Sequence, residues 1–96
     1  MTGTTLVVIS DTTLFFYRRL KQIEDDLAAV RRQKQLASIM EKSRRDLWVT
    51  LESSGFLAEA KAAHCDMTDY ERSSLQLERQ EREIVERIVS YVKSRA

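Results

Sequence analysis

The chain carries one histidine and one cysteine, and they are neighbours, His64 and Cys65. A base beside a nucleophile could serve covalent catalysis. Successive helical residues point about 100° apart, so adjacent side chains cannot readily form the hydrogen bond that activates a nucleophile. One His and one Cys also fall short of the usual four zinc ligands, and no glycine-rich phosphate loop or HExxH motif occurs. We therefore predict a non-enzymatic protein without metal or cofactor, with Cys65 buried or interfacial and His64 partly exposed.

Three arginine pairs, at 18–19, 31–32 and 44–45, lie thirteen residues apart. At 100° per residue, thirteen steps turn a helix about 220° beyond three full turns, so successive pairs do not share a face. Nucleic-acid binding favours a basic stripe on one face and a basic domain, whereas this chain has a net charge of +1. A nucleic-acid-binding regulator is thus the alternative function, and its contacts would be made by Arg31, Arg32, Arg44 and Arg45.

The composition favours long helices. Among 96 residues there is no proline, glycine occurs only at Gly3 and Gly55, and 32% of the residues are charged. A β-sandwich or barrel needs several tight turns, which draw on glycine, proline, asparagine and aspartate. We therefore predict an all-α domain over residues 11–96. Residues 1–10, which are rich in β-branched side chains, are expected to form a flexible or strand-like arm.

Apolar residues in the first half follow the alternating spacing of four and three that is typical of a coiled-coil seam. The stripe begins with Phe16, Leu20, Ile23, Leu27 and Val30. Strict continuation leads to a poor apolar surface, namely Lys34, Ala37, Glu41 and Arg44. We expect instead a phase shift of one residue, which carries the stripe onto Leu36, Ile39 or Met40, Ser43, Leu47 and Leu51.

A second stripe keeps the same alternation without a break. Its members are Phe56, Ala60, Ala63, Met67, Tyr70, Ser74, Leu77, Glu81, Ile84, Ile88 and Tyr91. Between the stripes, Gly55 can adopt the left-handed conformation that ends a helix. The sequence Thr68-x-x-Glu71 matches a capping box, which leaves open a helix break near residues 66–68.

These patterns predict an antiparallel, coiled-coil-like hairpin with helices at 12–53 and 56–94 and a turn at 53–55. If the break near residues 66–68 exists, the chain has three helices. Residues 1–45 carry nine basic and five acidic side chains, whereas residues 46–96 carry seven basic and ten acidic ones, so the two halves attract each other. More apolar surface is present than one seam can bury. We therefore expect a dimeric four-helix bundle or docking on a partner.

In size and hairpin plan the chain resembles the small helical chaperones of bacterial type III secretion, which sequester apolar helices of exported subunits. The resemblance covers the whole chain in outline and rests on no motif. Phe16-Tyr17-Arg18 is similar to the Leu-Tyr-Arg tripeptide of small mitochondrial helical adaptors, with Phe16 in the place of the leucine. These resemblances imply association with other proteins and do not assign a family.

The functional prediction is an adaptor, assembly factor or secretion chaperone that binds protein partners through apolar helix faces. The residues expected to contact a partner are Leu36, Met40, Trp48, Phe56 and Leu57. The residues expected to mediate self-association are Ile84, Ile88, Tyr91 and Val92. The apolar runs are too short to span a bilayer, no secretory signal pattern is present, and a lone Cys65 suits a reducing compartment, so we expect a cytoplasmic location.

Overall fold

The computed structural model describes residues 10–95, which form two helices. Helix α1 spans Asp11–Ser53 and helix α2 spans Leu57–Arg95. At 1.5 Å per residue, α1 is about 64 Å long. The two helices lie side by side and antiparallel, and no strand occurs between residues 10 and 95. The predicted all-α helical hairpin is confirmed. The predicted N-terminal arm falls outside the described residues, except for Ser10.

Side chains and backbone satisfy the free polar groups at both ends of α1. Ser10 is the N-cap, and its Oγ accepts a hydrogen bond from the backbone N–H of Thr13 at 3.2 Å. At the other end, the backbone N–H groups of Phe56 and Gly55 donate to the carbonyls of Leu51 and Glu52. This pair of bonds is a Schellman motif, and it requires the positive φ of 87° that Gly55 adopts.

A single seam joins the helices. It consists of side chains that are at least partly buried and that recur at alternating spacings of three and four residues. On α2 it matches the predicted stripe from Ala60 to Tyr91, whereas Phe56 is exposed. On α1 the seam consists of Thr13, Phe16, Leu20, Ile23, Leu27, Val30, Lys34, Ala37, Glu41, Arg44, Trp48 and Leu51. Each helix therefore keeps one unbroken heptad register along its length.

The predicted phase shift in α1 is wrong. Leu36, Ile39 and Leu47 are 61%, 56% and 39% exposed and lie outside the seam. The physical reason is the register of α2: because its stripe never shifts, α1 must present strictly spaced residues to it. The polar seam residue Lys34 is accommodated by ion pairs, with its Nζ 3.7 Å from a carboxylate oxygen of Glu78 and 3.7 Å from one of Glu81.

Helix α2 runs without a break through residues 66–68. Thr68 lies inside it, and its hydroxyl donates to the carbonyl of His64 at 3.0 Å. A threonine that bonds back to the preceding turn is not capping a new helix. Of the two alternatives, the structure therefore has two helices rather than three.

The buried core of the hairpin is thin. Six described residues are buried, all of them apolar: Ile23, Ala37, Ala60, Ala63, Met67 and Ile84. An aromatic contact closes the open end, where the rings of Phe16 and Tyr91 stack with centroids 5.0 Å apart. The Arg95 guanidinium lies 5.3 Å from the centroid of the Phe16 ring. The seam and the Phe16–Tyr91 stack at the open end, which we call the aromatic clasp, therefore hold the two helices together.

The continuity of α2 can be tested with Thr68→Ala and Ser10→Ala. Thr68→Ala should leave the free energy of unfolding unchanged or raise it by up to about 0.5 kcal/mol, because alanine is the better helix former. Ser10→Ala removes an N-cap and should lower it by about 1 kcal/mol. Urea denaturation followed by far-UV circular dichroism measures both. A loss for Thr68→Ala as large as that for Ser10→Ala would contradict a continuous α2.

Candidate functional site

The seam divides the surface of the hairpin into two faces. Because the helices are antiparallel, a residue that directly follows a seam residue turns toward the same side on both helices, and a residue that directly precedes one turns toward the other side. The surface grooves agree. One groove contains Glu78, Arg82 and Val85, which all follow seam residues. Another contains Arg19 and Arg87, which both precede them.

Exposed apolar residues are distributed unequally between these faces. We call one side the valine face; its exposed large apolar residues are Leu14, Tyr17, Val49, Leu57, Leu75, Val85, Val89 and Val92. The other side is the leucine face, which carries Phe15, Leu36 and Leu47 together with the half-buried Met40. On the leucine face these four residues all belong to α1, so the α2 edge of that face is polar in the described chain.

At the turn end of the valine face, Trp48 and Leu57 line a shallow groove with a volume of about 310 Å³. We call it the tip groove. Its other walls and rim are formed by Glu52, Ala60, Lys61 and His64. An apolar floor with a charged rim suits an inserted apolar side chain of another protein.

The five residues predicted to contact a partner are not brought together. Trp48 and Leu57 share the tip groove, whereas Leu36 and Met40 lie on the leucine face. Phe56 is in the turn and is exposed. Met40 and Trp48 are eight residues apart on α1, which is about 12 Å along the helix. One compact partner side chain therefore cannot engage all five.

The four residues predicted to mediate self-association lie mainly in the seam. Ile84 is buried, and Ile88 and Tyr91 are half-buried against α1. Only Val92 is exposed. Ile84, Ile88 and Tyr91 are thus already used within the chain, and Val92 alone is available to a second copy.

His64 contacts Trp48 rather than forming a pair with Cys65. The imidazole and indole rings meet edge to face with centroids 4.6 Å apart. Cys65 is exposed, so of the two predicted alternatives, buried or interfacial, it is not buried within the hairpin. Between residues 10 and 95 no group of three or more potential metal ligands occurs. His64 also lines the tip groove.

The four arginines of the alternative function occupy different environments. The Nε of Arg31 lies 3.5 Å from a carboxylate oxygen of Glu81, and Arg45 donates to Glu41 at 2.7 Å. Arg44 is a seam residue whose Nε is buried without a hydrogen-bond partner among the described residues. Arg32 is exposed. The structure does not assemble these side chains into one basic surface.

The centre of the valine face is divided by charge. The α1 edge is basic, with Arg31, Lys42 and Arg45, whereas the α2 edge carries Glu71 and Glu78 together with Arg82. The seam residues Lys34 and Glu81 lie between the two edges. Nearer the N-terminus of α1, Lys21 Nζ lies 3.0 Å from a carboxylate oxygen of Asp25. This hydrogen bond raises the pKa of Lys21 above its ordinary value.

No family model matches the chain, and no curated protein or solved structure shows significant similarity to it. No described helix is long and apolar enough to cross a membrane. The geometry of the hairpin is therefore the basis of the functional proposal.

The Trp48–His64 contact can be tested by fluorescence, because Trp48 is the sole tryptophan. His64→Ala removes one side of the indole environment and should shift Trp48 emission to longer wavelength, toward that of a hydrated indole. Cys65→Ala is the matched control, since Cys65 is adjacent in sequence and exposed. Equal emission spectra for the two variants would contradict the contact.

The polar seam predicts a gain in stability when it is made apolar. Replacing Lys34 and Glu81 together by Leu should raise the free energy of unfolding by about 1–2 kcal/mol, because both residues are half-buried and their desolvation offsets their attraction. The control replaces Lys21 and Asp25 by Leu. That pair is exposed, so its loss should change stability by less than about 0.5 kcal/mol. Urea denaturation measures both, and a less stable seam variant would refute the prediction.

Proposed function

We propose that this chain is a non-enzymatic helical module that acts by binding protein partners, as an adaptor, an assembly factor or an export chaperone. One observation carries the proposal. Thirteen large apolar side chains among the described residues are exposed, whereas only six apolar residues are buried. Exposed apolar surface of this extent is unfavourable in water, and covering it with another chain removes that cost.

The tip groove is the proposed anchor site for a partner. The half-buried indole of Trp48 forms one wall of the groove. Leu57 forms another, and 68% of the surface of this residue is exposed. Burying a leucine-sized side chain contributes roughly 1.5–3 kcal/mol. Lys61, His64 and Glu52 at the rim can form hydrogen bonds with polar groups beside the inserted side chain.

The leucine face offers the second proposed partner surface. Leu36, Met40 and Leu47 recur at spacings of four and seven residues, so they form one stripe along α1. A stripe of this kind accepts the apolar side of an amphipathic helix. A partner helix lying there would extend along α1 rather than insert at the tip.

The anchor role of the groove is tested with Leu57→Ser, which alters an exposed residue and leaves the seam intact. Capture of a specific host protein by the immobilised full chain should fall more than about tenfold, the effect expected for a residue central to an interface. Trp48→Ala should act in the same direction, provided that its far-UV circular dichroism spectrum stays helical.

The matched control is Ile39→Ser, which makes the same kind of change at a 56% exposed apolar residue that lies on neither face. Its capture should equal that of the unaltered chain. Undiminished capture by both groove variants would refute the anchor site. Salt-sensitive binding of nucleic acid in place of protein would instead favour the alternative function.

A further inference from the structure

We infer that the valine face binds a second copy of this chain, with α1 of one copy lying on α2 of the other. The inference rests on the proposed function, because it specifies how the chain would associate with itself. It moves self-association away from the seam residues Ile84, Ile88 and Tyr91, which the hairpin already uses.

The first support is the extent of the apolar surface. The valine face has apolar residues at its open end, at its middle and at its tip, so a partner of equal length would cover all of them. Eight side chains that each lose about 80 Å² would contribute roughly 1,300 Å² from two copies, which lies within the ~1,200–2,000 Å² of stable interfaces. A second hairpin has the same length and the same spacing.

The leucine face does not offer an apolar surface of comparable extent. Its exposed large apolar residues are Phe15, Leu36 and Leu47, and all three are on α1. The α2 edge of that face carries Asp66 and Asp69, which are exposed. The same area estimate gives only about 500 Å² from two copies, below the range of stable interfaces. A second copy on the valine face also covers the tip groove, so the dimer leaves only the leucine face available to a different partner, and a partner anchored in the groove competes with the second copy.

The second support is charge, which selects one of two possible arrangements. Two hairpins stacked through the same face can be related by a two-fold axis perpendicular or parallel to the helices. A perpendicular axis places α1 on α1 with the direction of the helix inverted, which brings Arg31, next to the middle of α1, against Arg31 of the other copy. A parallel axis places α1 on α2, which sets Lys42 against Glu71. Opposite charges across an interface favour the parallel axis.

Contacts within the hairpin show which residues of α1 and α2 lie at the same position along the long axis of the hairpin, that is, at the same height. Lys34 pairs with Glu78, and Trp48 touches His64, so the numbers of residues at equal height add up to about 112. A parallel axis preserves height. Lys42 of one copy therefore meets Glu71 of the other, and Tyr17 meets Val92. Apolar residues face apolar residues near the open end, and opposite charges meet at the centre.

The surface is tested with Val89→Lys and its matched control Leu36→Lys, which are both exposed apolar residues on opposite faces. Sedimentation equilibrium of the full chain at micromolar concentration should show a dimer. Val89→Lys should weaken dimerisation by about tenfold or more, because it would bury an unpaired charge. Leu36→Lys should leave it unchanged. Equal weakening by both variants, or a wild-type chain that remains monomeric, overturns the inference.

The arrangement is tested by disulfide cross-linking with Cys65→Ser as the background. One chain carries Ser38→Cys on α1, and a second, tagged chain carries Leu75→Cys on α2. Each chain has a single thiol, so any disulfide joins two copies. Mixed cross-links should exceed both self-cross-links under mild oxidation. A predominance of Ser38→Cys self-cross-links, or the absence of any cross-link, overturns the arrangement.

The outcome also separates this inference from the proposed function. A monomeric chain that still captures a host protein through the tip groove refutes the second copy and leaves the proposed function in place. A dimer disrupted by Val89→Lys supports the inference even if Leu57→Ser has no effect on partner capture.

Discussion

The register between the two helices is the constraint on which the other features of the hairpin depend. The α2 stripe repeats every 3.5 residues on average from Ala60 to Tyr91, so the facing surface of α1 must do the same. This requirement overrides the local preference of α1 for apolar contacts. Lys34, Glu41 and Arg44 are held in the seam, and the more apolar Leu36 and Leu47 are left outside.

The same register determines how the surface is divided. Once each helix keeps a single seam, every apolar residue beside that seam is assigned to one side by whether it follows or precedes a seam residue. The valine face and the leucine face are thus consequences of the heptad spacing. Their different compositions give one hairpin two surfaces with different capacities, one extensive and divided by charge, the other a narrow stripe on α1.

Much of the fold could be predicted from the sequence. The second stripe, the turn at Gly55 and the antiparallel pairing depend on local spacing and on one glycine, which sequence patterns capture well. The α1 seam beyond Val30 could not be predicted in the same way, because it is fixed by the facing residues of another helix, which for Lys34 are more than forty positions away in the chain. Hydrophobicity alone favours Leu36 over Lys34, but the strict register of α2 places Lys34 in the seam, where it pairs with Glu78 and Glu81.

The candidate surfaces were predictable in part. Trp48 and Leu57 flank the turn, so their proximity follows from the hairpin itself. The valine face was missed because its members are scattered between Leu14 and Val92. The available signal was that Tyr17, Val85, Val89 and Val92 each directly follow a stripe residue. Once the seam is known, that relation identifies the face.

The Schellman turn at Gly55 also has a consequence for the order of folding. Contacts beside the turn, such as Trp48 with His64, close a short loop, whereas the Phe16–Tyr91 stack joins residues 75 positions apart in the chain. Loop-closure entropy rises with separation, so we expect the helices to pair from the turn toward the termini. The Phe16–Tyr91 stack would then form last and open first. Amide hydrogens near the clasp therefore exchange by local fraying, whereas those near the turn require a larger opening of the hairpin.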